Sequence, residues 1–338
     1  MTHLSSWGCS RVSQVQYRYQ QSRRRNAMLP ACIATDQRAT SISGCPPSAW
    51  ADQLAPLAPH APVMINIGAN TGYAMVEFLA RFSHSNVTSM AWREEIKRYA
   101  RQVRSKNLAW TSCGACSQCR ALAPRRYGAG GVAHALELDM KNRQVLRHMA
   151  NATGLQMRVH ELAAGHVAGR ACAKKSLMGS ERHTIATLAQ TAKDRAGRIC
   201  WKRKQHQEVE VVTVDDLLAR LGLDTAHGVE HLSIDTEGWD ALVLEGARRT
   251  IKRHRFNIVE FEYSGRWQEH KNSLQTVQEW LFADGYHCFW ITDDPVELRP
   301  LSGSCWRPEF ETNKWSNVVC AHDAAYLRVL YGMRRTSR

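Results

Sequence analysis

The chain has 338 residues, of which 44% are hydrophobic and 22% are charged. These proportions match globular proteins and exclude a collagen-like, coiled-coil or fully disordered chain. No run of about 18 uncharged apolar residues is present, so we expect no transmembrane helix. Forty-five Lys and Arg against 31 Asp and Glu give a net charge of +14. Such a charge favours an anionic partner: nucleic acid, acidic lipid, or a phosphorylated or carboxylated substrate.

The first 60 residues differ in composition from the rest of the chain. Residues 1–35 contain five Arg, five Ser and no Asp or Glu, and no apolar segment of a secretory signal follows them. We therefore expect a disordered basic leader over 1–60, with the composition of an organelle transit peptide. A leader without a targeting role is the alternative. The expected location is intracellular, in the cytoplasm or an organelle, and residues 326–338 are expected to form a basic tail.

Strands and helices alternate along the rest of the sequence. Apolar runs and alternating patterns predict strands over 63–67, 132–138, 156–162, 209–214, 229–234, 256–263, 286–291 and 316–321. Helical spacing of apolar residues predicts one helix that begins at Thr213 and others over 73–82, 92–103, 140–153, 241–251 and 274–282. This order predicts an α/β fold with a Rossmann-like, doubly wound and mostly parallel sheet.

Two segments interrupt this alternation. Residues 107–131 form a Cys-rich insertion in which Cys113, Cys116 and Cys119 have the spacing C-x2-C-x2-C. Thiolates at this spacing can share a zinc ion if a fourth ligand comes from elsewhere in the chain; a thiol-rich loop is the alternative. Residues 170–206 contain ten Lys or Arg and two acids, which indicates a mobile basic segment or a loop over an anionic ligand. Without a secretory signal, the eleven cysteines are expected to be reduced.

A glycine-containing turn, Gly68–Gly72, follows the first predicted strand. Such a turn lets the backbone approach a ligand closely, and the helix that follows offers free N–H groups. Its spacing is neither that of a dinucleotide fingerprint nor that of a P-loop. The turn therefore favours an adenosine cofactor without phosphates over a nicotinamide cofactor, with an ordinary strand–helix turn as the alternative.

Acidic residues follow three of the predicted strands. Glu137 ends the second strand, where an acid can accept hydrogen bonds from both hydroxyls of a ribose. Asp235 and Glu237 follow a later strand and could hold an ammonium group, orient a substrate hydroxyl or act as a general base. A helix cap formed by Asp235 or Thr236 is the alternative. Of Glu260 and Glu262 on the next strand, only one is expected to face the cleft.

Taken in chain order, these motifs resemble the FkbM-type methyltransferases, in particular their eukaryotic, alga-like members. The segments that carry the resemblance are 65–72, 135–137, 212–217, 232–238, 244–247, 259–263 and 315–320. The resemblance implies a methyltransferase domain over 61–325 that uses S-adenosylmethionine (SAM) to methylate, most often, a hydroxyl oxygen. The implied partner is a small-molecule, sugar or lipid acceptor with a hydroxyl group, and the net charge of the chain favours an anionic one.

The resemblance also implies roles for single residues. Glu137 would bind the ribose of SAM, and Asp235 and Glu237 would lie near the reacting centre, one of them as the base. The other residues beside SAM would be Asn66, Gly68, Ala69, Asn70 and Gly72.

Two departures from the family pattern stand out, since Asn66 replaces an acid and Ser233 stands where Lys is common. They leave a catalytically inactive member of the same fold as one alternative. A nucleic-acid-binding protein is the other, although no RNP, helix-turn-helix or zinc-finger pattern supports it.

Overall fold

The computed structural model describes residues 48–103, 127–174, 185–186, 206–224, 228–292 and 297–333. Within these ranges, eight strands form a main sheet and four form a smaller one. The main sheet holds β1 (Val63–Ile67), β2 (Val132–Leu136), β3 (Met157–His160), β8 (Val229–Ile234), β9 (Phe256–Tyr263), β10 (His287–Ile291), β11 (Leu298–Pro300) and β12 (Ser316–Ala321). The smaller sheet holds β4 (Ala163–Ala164), β5 (Gly169–Lys174), β6 (Ile185–Ala186) and β7 (His206–Val212).

The α-helices of the same ranges cover the main sheet. They are α1 (Ala49–Leu54), α2 (Tyr73–Phe82), α3 (Ser89–Gln102), α4 (Met140–Thr153), α5 (Val214–Leu221), α6 (Asp240–Glu245), α7 (Arg248–Lys252), α8 (Leu274–Ala283) and α9 (Ala324–Gly332). Several begin at a polar side chain that accepts a hydrogen bond from a backbone N–H of the first turn, the usual N-cap arrangement. These caps are Thr88, Asp139, Thr213, Ser273 and Asp323.

The main sheet has the order β11-β10-β12-β9-β8-β1-β2-β3. Strands β3, β2, β1, β8 and β9 pair in parallel, whereas β12 runs antiparallel between β9 and β10. The chain moves outward from β1 to β3 and then returns to lay β8 beside the other edge of β1. This reversal defines a switch point between β1 and β8, where doubly wound sheets bind their ligands outside the carboxyl ends of the strands. The predicted Rossmann-like, mostly parallel α/β fold is confirmed.

The two faces of the main sheet differ in polarity. On one face, Ile65, Ile67 and Phe261 belong to a large apolar cluster. On the other face, Met64 packs in a second apolar cluster that contains residues of α2 and α3. Since successive side chains of a strand point to opposite faces, Asn66 of β1 shares this second face with Met64. The centre of the second face therefore carries polar side chains near the switch point.

Both ends of the predicted domain extend further than expected. Trp50 and Leu54 of α1 lie inside the predicted leader, yet they are buried in one apolar cluster with Tyr326 and Leu327 of α9. The disordered leader therefore does not reach residue 60, and the basic tail does not begin at 326. The short helices α1 and α9 pack on each other and on the sheet. Each is too short for the spacing of its apolar residues to predict a helix from the sequence. Residues 1–47, with the transit-peptide prediction, lie outside the described residues.

The smaller sheet was not predicted, because its strands are short and two of them fall in the segment 170–206. Strand β5 pairs antiparallel with β7 over six residue pairs, and Ala171 and Ala173 of β5 are fully buried. The start of the predicted basic segment is thus a strand rather than a mobile loop. Residues 175–184 and 187–205 lie outside the described residues. None of the helices that the structure describes is long and apolar enough to cross a membrane.

The expectation that all cysteines are reduced is wrong, because Cys172, Cys288, Cys305 and Cys320 are disulfide-bonded. Cys288 of β10 and Cys320 of β12 are joined by a disulfide and are opposite each other in the antiparallel register. Thirty-two positions separate them in the sequence, so only the pairing of the two strands brings the sulfur atoms together.

Candidate active site

The turn after β1 lies between the carboxyl ends of β2 and β8. The backbone N–H groups of Gly68 and Ala69 both donate to the carbonyl oxygen of Leu136, at 3.0 and 3.1 Å, and Asp235 N–H donates to the carbonyl of Ile67 at 2.9 Å. A Cβ on Gly68 would stand 1.8 Å from the carbonyl oxygen of Asp235. The close approach that requires glycine here is therefore to the protein's own backbone, and it fixes the turn at the switch point.

The same turn is held in a left-handed backbone conformation at three positions. Gly68, Asn70 and Gly72 have φ of 79°, 48° and 92°, and asparagine tolerates this region better than most residues. The side-chain oxygen of Asn70 accepts a hydrogen bond from the amide of Asn142, at 3.3 Å. The Nε1–H of Trp92 donates to the carbonyl of Thr71 at 2.8 Å. Helices α3 and α4 thus hold the turn from behind, and Asn142 is a contributor that sequence reasoning missed.

Glu137 lies directly beside this turn, as the sequence predicted. One of its carboxylate oxygens accepts the backbone N–H of Asn70 and the other accepts that of Asp139, both at 2.7 Å. Burial raises the pKa of Glu137 to about 7, although the two N–H groups act against this shift. Each carboxylate oxygen has a second lone pair, so the group can still accept from a ligand. Its contact with a ribose stays a prediction.

Asp235 and Glu262 form a carboxylic pair at the ends of β8 and β9. Asp235 is exposed at the rim of the sheet, whereas Glu262 is buried. Burial, the charge of Asp235 and a hydrogen bond donated to it raise the pKa of Glu262 well above its usual value. Asp235 is exposed as a residue, but the surrounding protein desolvates its carboxyl group and so raises its pKa, and the hydrogen bond from Glu262 partly offsets this. Both shifts are upward and that of Glu262 is the larger, so a proton held by the pair is expected on Glu262.

The two glutamates of β9 differ in their position along the strand rather than in the face that they occupy, so the expectation that only one of them faces the cleft stays a prediction. Glu260 and Glu262 are two residues apart and so share a face. Glu260 lies further from the carboxyl end, where its oxygens are 2.9 Å from Asn317 Nδ2 and 3.1 Å from His231 Nε2.

The turn after β8 contains two further acids with different partners. Asp240 is fully buried and accepts the backbone N–H groups of Thr236 and Gly238, at 3.1 and 3.2 Å. Burial and the charge of Asp235 raise the pKa of Asp240 to about 8. Glu237 has a φ of 57° and forms an ion pair with Arg266. Asp240, which was not predicted from the sequence, holds this turn. Asp235 therefore does not cap the helix, which was the alternative role that the sequence allowed.

Asn66 is the second-last residue of β1 and precedes the turn by two positions. Its Nδ2 donates to the hydroxyl of Ser233 at 3.1 Å, and the two residues are only 3% and 6% exposed. The side chain thus joins β1 to β8, and its contact with a cofactor stays a prediction.

Buried hydroxyl groups without a partner mark this edge of the sheet. Thr71 follows β1, Thr236 follows β8 and Ser264 follows β9, and their side-chain oxygens have no hydrogen-bond partner among the described residues. Buried polar groups are normally paired. The three hydroxyls indicate that this edge is completed by a ligand or by water.

The metal prediction for Cys113, Cys116 and Cys119 lies outside the described residues. In the part of the chain that the structure describes, no three His, Cys, Asp or Glu residues are grouped so as to hold a metal ion.

The fold and the site agree with one protein family. The profile of the Methyltransferase FkbM domain matches residues 112–288, which is more than half of the chain. The chain belongs to this family and is a methyltransferase. Comparisons with curated proteins and with solved structures give no significant match. The turn Gly68–Gly72 precedes the matched range, and the sheet order places it beside the matched strands β2 and β8.

Proposed function

We propose that this methyltransferase moves a methyl group from SAM to a hydroxyl oxygen of a small acceptor, at the edge of the sheet between β1 and β8. The observation that carries the proposal is the position of Asp235 and Glu262, two acids at the carboxyl ends of β8 and β9, beside the Gly68–Gly72 turn at the switch point. Ligands of doubly wound sheets bind at this edge.

The residues at the edge fit SAM by their chemistry. SAM carries a sulfonium and an ammonium group against one carboxylate, so a binding site for it should supply negative charge and hydrogen-bond acceptors. Glu137 offers a carboxyl group of this kind at the edge, although the whole chain carries +14. The carboxylate of Glu137 is suited to the ribose hydroxyls, and the unpartnered hydroxyls of Thr71 and Thr236 can pair with polar groups of the cofactor.

Asp235 is the residue best placed to take the proton of the acceptor. SAM, when bound, supplies a methyl group that is already activated, whereas a free alcohol is a weak nucleophile and needs a base. Asp235 is exposed at the end of β8, and its pKa is raised above the usual value of an aspartate, which favours a role as a general base. The carboxylate of Glu237 is neutralised by Arg266, so we assign it a positioning role.

Formation of S-adenosylhomocysteine from SAM, measured with a panel of hydroxylated acceptors, tests the proposal. Asp235→Asn should lower the rate by about 10²–10⁴, the usual contribution of a general base, and leave SAM affinity within about threefold. Asp224→Asn is the matched control. Asp224 precedes the start of β8, at the end of the strand opposite to Asp235, and forms an ion pair with Arg253. Equal rates for wild type and Asp235→Asn would contradict the assignment.

A further inference from the structure

Disulfide-bonded cysteines occur in three separate parts of the described structure. Cys288 of β10 and Cys320 of β12 are bonded to each other in the main sheet. Cys172 of β5, in the smaller sheet, and Cys305, between β11 and β12, are also disulfide-bonded. Oxidation of the thiols is therefore not confined to one exposed loop, because it involves both sheets and a connecting segment of the domain.

All four of these cysteines are buried. Cys288 and Cys320 are 0% exposed, Cys172 is 2% exposed and Cys305 is 9% exposed. A cysteine that senses oxidants or exchanges with a reductase must be accessible to solvent and must ionise easily. Because these sulfur atoms lie in the interior, their bonds are structural rather than regulatory, and they must form while the chain is still folding.

The bond between Cys288 and Cys320 fixes a strand pair next to the candidate active site. Strand β12 pairs with β10 on one side and with β9 on the other. On the side of β9, Asn317 of β12 is the register partner of Glu262. The bond therefore holds together the antiparallel part of the sheet, which supports the strand that carries Glu262.

Structural disulfides of this kind depend on the compartment in which a protein folds. Each bond forms when two thiols pass two electrons and two protons to a disulfide of the surroundings, which leaves as two thiols. Oxidising compartments supply such disulfides, whereas glutathione and thioredoxin keep thiols reduced in the cytosol. The bond between Cys288 and Cys320 closes a loop over 32 positions, which corresponds to about 10²–10³ in the equilibrium constant of unfolding. A reducing compartment would withhold this stabilisation.

We propose that this methyltransferase folds and acts in an oxidising compartment, so that its acceptor is a molecule that reaches this compartment and not one confined to the cytosol. The proposal excludes the cytoplasm from the locations that the sequence analysis allowed. Its statement on the acceptor rests on the proposed function. Its statement on the compartment rests on the buried, bonded cysteines alone and can be tested without a cofactor or an acceptor.

Production of the full chain in the periplasm and in the reducing cytoplasm of one bacterial host tests the proposal. Alkylation in denaturant without a reductant, followed by mass spectrometry, should find no free thiol at the four positions in the periplasmic product. The cytoplasmic product should be insoluble or unfolded, and it should fold when oxidised and reduced glutathione are added. A cytoplasmic product that is folded, has free thiols at all four positions and unfolds at the same denaturant concentration would overturn the proposal.

A double variant, Cys288→Ala with Cys320→Ala, isolates the contribution of one bond. Without a reductant, its unfolding constant should exceed that of the wild type at least about 10²-fold. With a reductant present throughout the denaturant titration, the wild type also lacks the bond, and the difference should shrink at least about tenfold. Val318→Ala, equally buried on β12, is the matched control, and its difference from the wild type should not depend on the reductant. The same independence in the double variant would contradict a structural role of the bond.

A parallel titration with S-adenosylhomocysteine separates this proposal from that on SAM. If the chain folds only when oxidised and then binds no S-adenosylhomocysteine, the assignment of the compartment stands and the SAM proposal is wrong. If the reduced chain folds equally well and binds S-adenosylhomocysteine, the assignment of the compartment is wrong and the SAM proposal is unaffected.

Discussion

Asn66 of β1 donates a hydrogen bond to Ser233, its register partner on β8. These are the two positions that the resemblance singled out as departures from a pattern of an acid and a Lys. They lie in contact with each other, and a neutral hydrogen bond between them joins the two strands.

This pairing makes a direct prediction for a double-mutant cycle. Asn66→Asp alone should destabilise the protein by about 3 kcal/mol, because it buries a carboxylate without a cation. Adding Ser233→Lys should recover about 1–3 kcal/mol of the summed losses, whereas adding Ser233→Ala, which brings no charge, should not. The measurement is the free energy of unfolding in denaturant. Additive losses for the Asp and Lys substitutions would show that the two positions are not coupled.

Gly68 is predicted to be required for folding. Gly68→Ala places a Cβ 1.8 Å from the Asp235 carbonyl, at a φ of +79°, and should cost at least about 3 kcal/mol. Gly154→Ala is the matched control for backbone strain alone, since its φ is +68° and nothing lies within 4 Å of the new Cβ; it should cost about 1 kcal/mol. Equal losses in denaturant unfolding would mean that the contact with Asp235 is unimportant.

The sequence predicted the centre of the sheet better than its margins. The predicted strands at β8, β9 and β12 agree with the structure residue by residue, because each is an apolar run between clear turn signals. Strand β4 has two residues, and α1 has six. Elements of this length owe their stability to packing, which no local pattern reveals.

The site could be predicted as a set of strand ends but not as a set of contacts. The position of Glu137 beside the turn was predicted because neighbouring parallel strands end at one edge of a sheet. The bond between Asn66 and Ser233 joins residues 167 positions apart and depends on the strand register. The raised pKa of Glu262 depends on the burial of its side chain. The sequence alone does not show how deeply an acid at the end of a strand is buried.

Glu137 is predicted to bind the ribose of the cofactor. Glu137→Ala should weaken S-adenosylhomocysteine binding by about 1.5–3 kcal/mol, the usual range for hydrogen bonds to a charged group. Glu137→Gln should cost less, because the amide oxygen still accepts hydrogen bonds. Calorimetry provides the affinities, and Glu309→Ala at an exposed site is the control. Unchanged affinity in the Ala variant would exclude Glu137 from the cofactor site.

Asp240 is predicted to make stability depend on pH. Its pKa is raised to about 8 in the folded protein, against about 4 for an unfolded aspartate, so the folded state keeps a proton that the unfolded state releases. The free energy of unfolding should therefore fall as pH rises between these values, by up to roughly 1 kcal/mol per pH unit. Asp240→Asn should flatten this slope, and Asp224→Asn should not. The same slope in Asp240→Asn would place the titrating group elsewhere.

The central claim is that the edge between β1 and β8 binds SAM, and calorimetric titration of the full chain with SAM tests it most directly. We expect one molecule per chain and an affinity that changes less than about threefold between about 0.15 M and about 0.5 M salt, because binding does not depend on long-range charge. The absence of binding at both salt concentrations would contradict the account. An affinity that collapsed in high salt would instead favour a phosphate-binding surface of the basic chain.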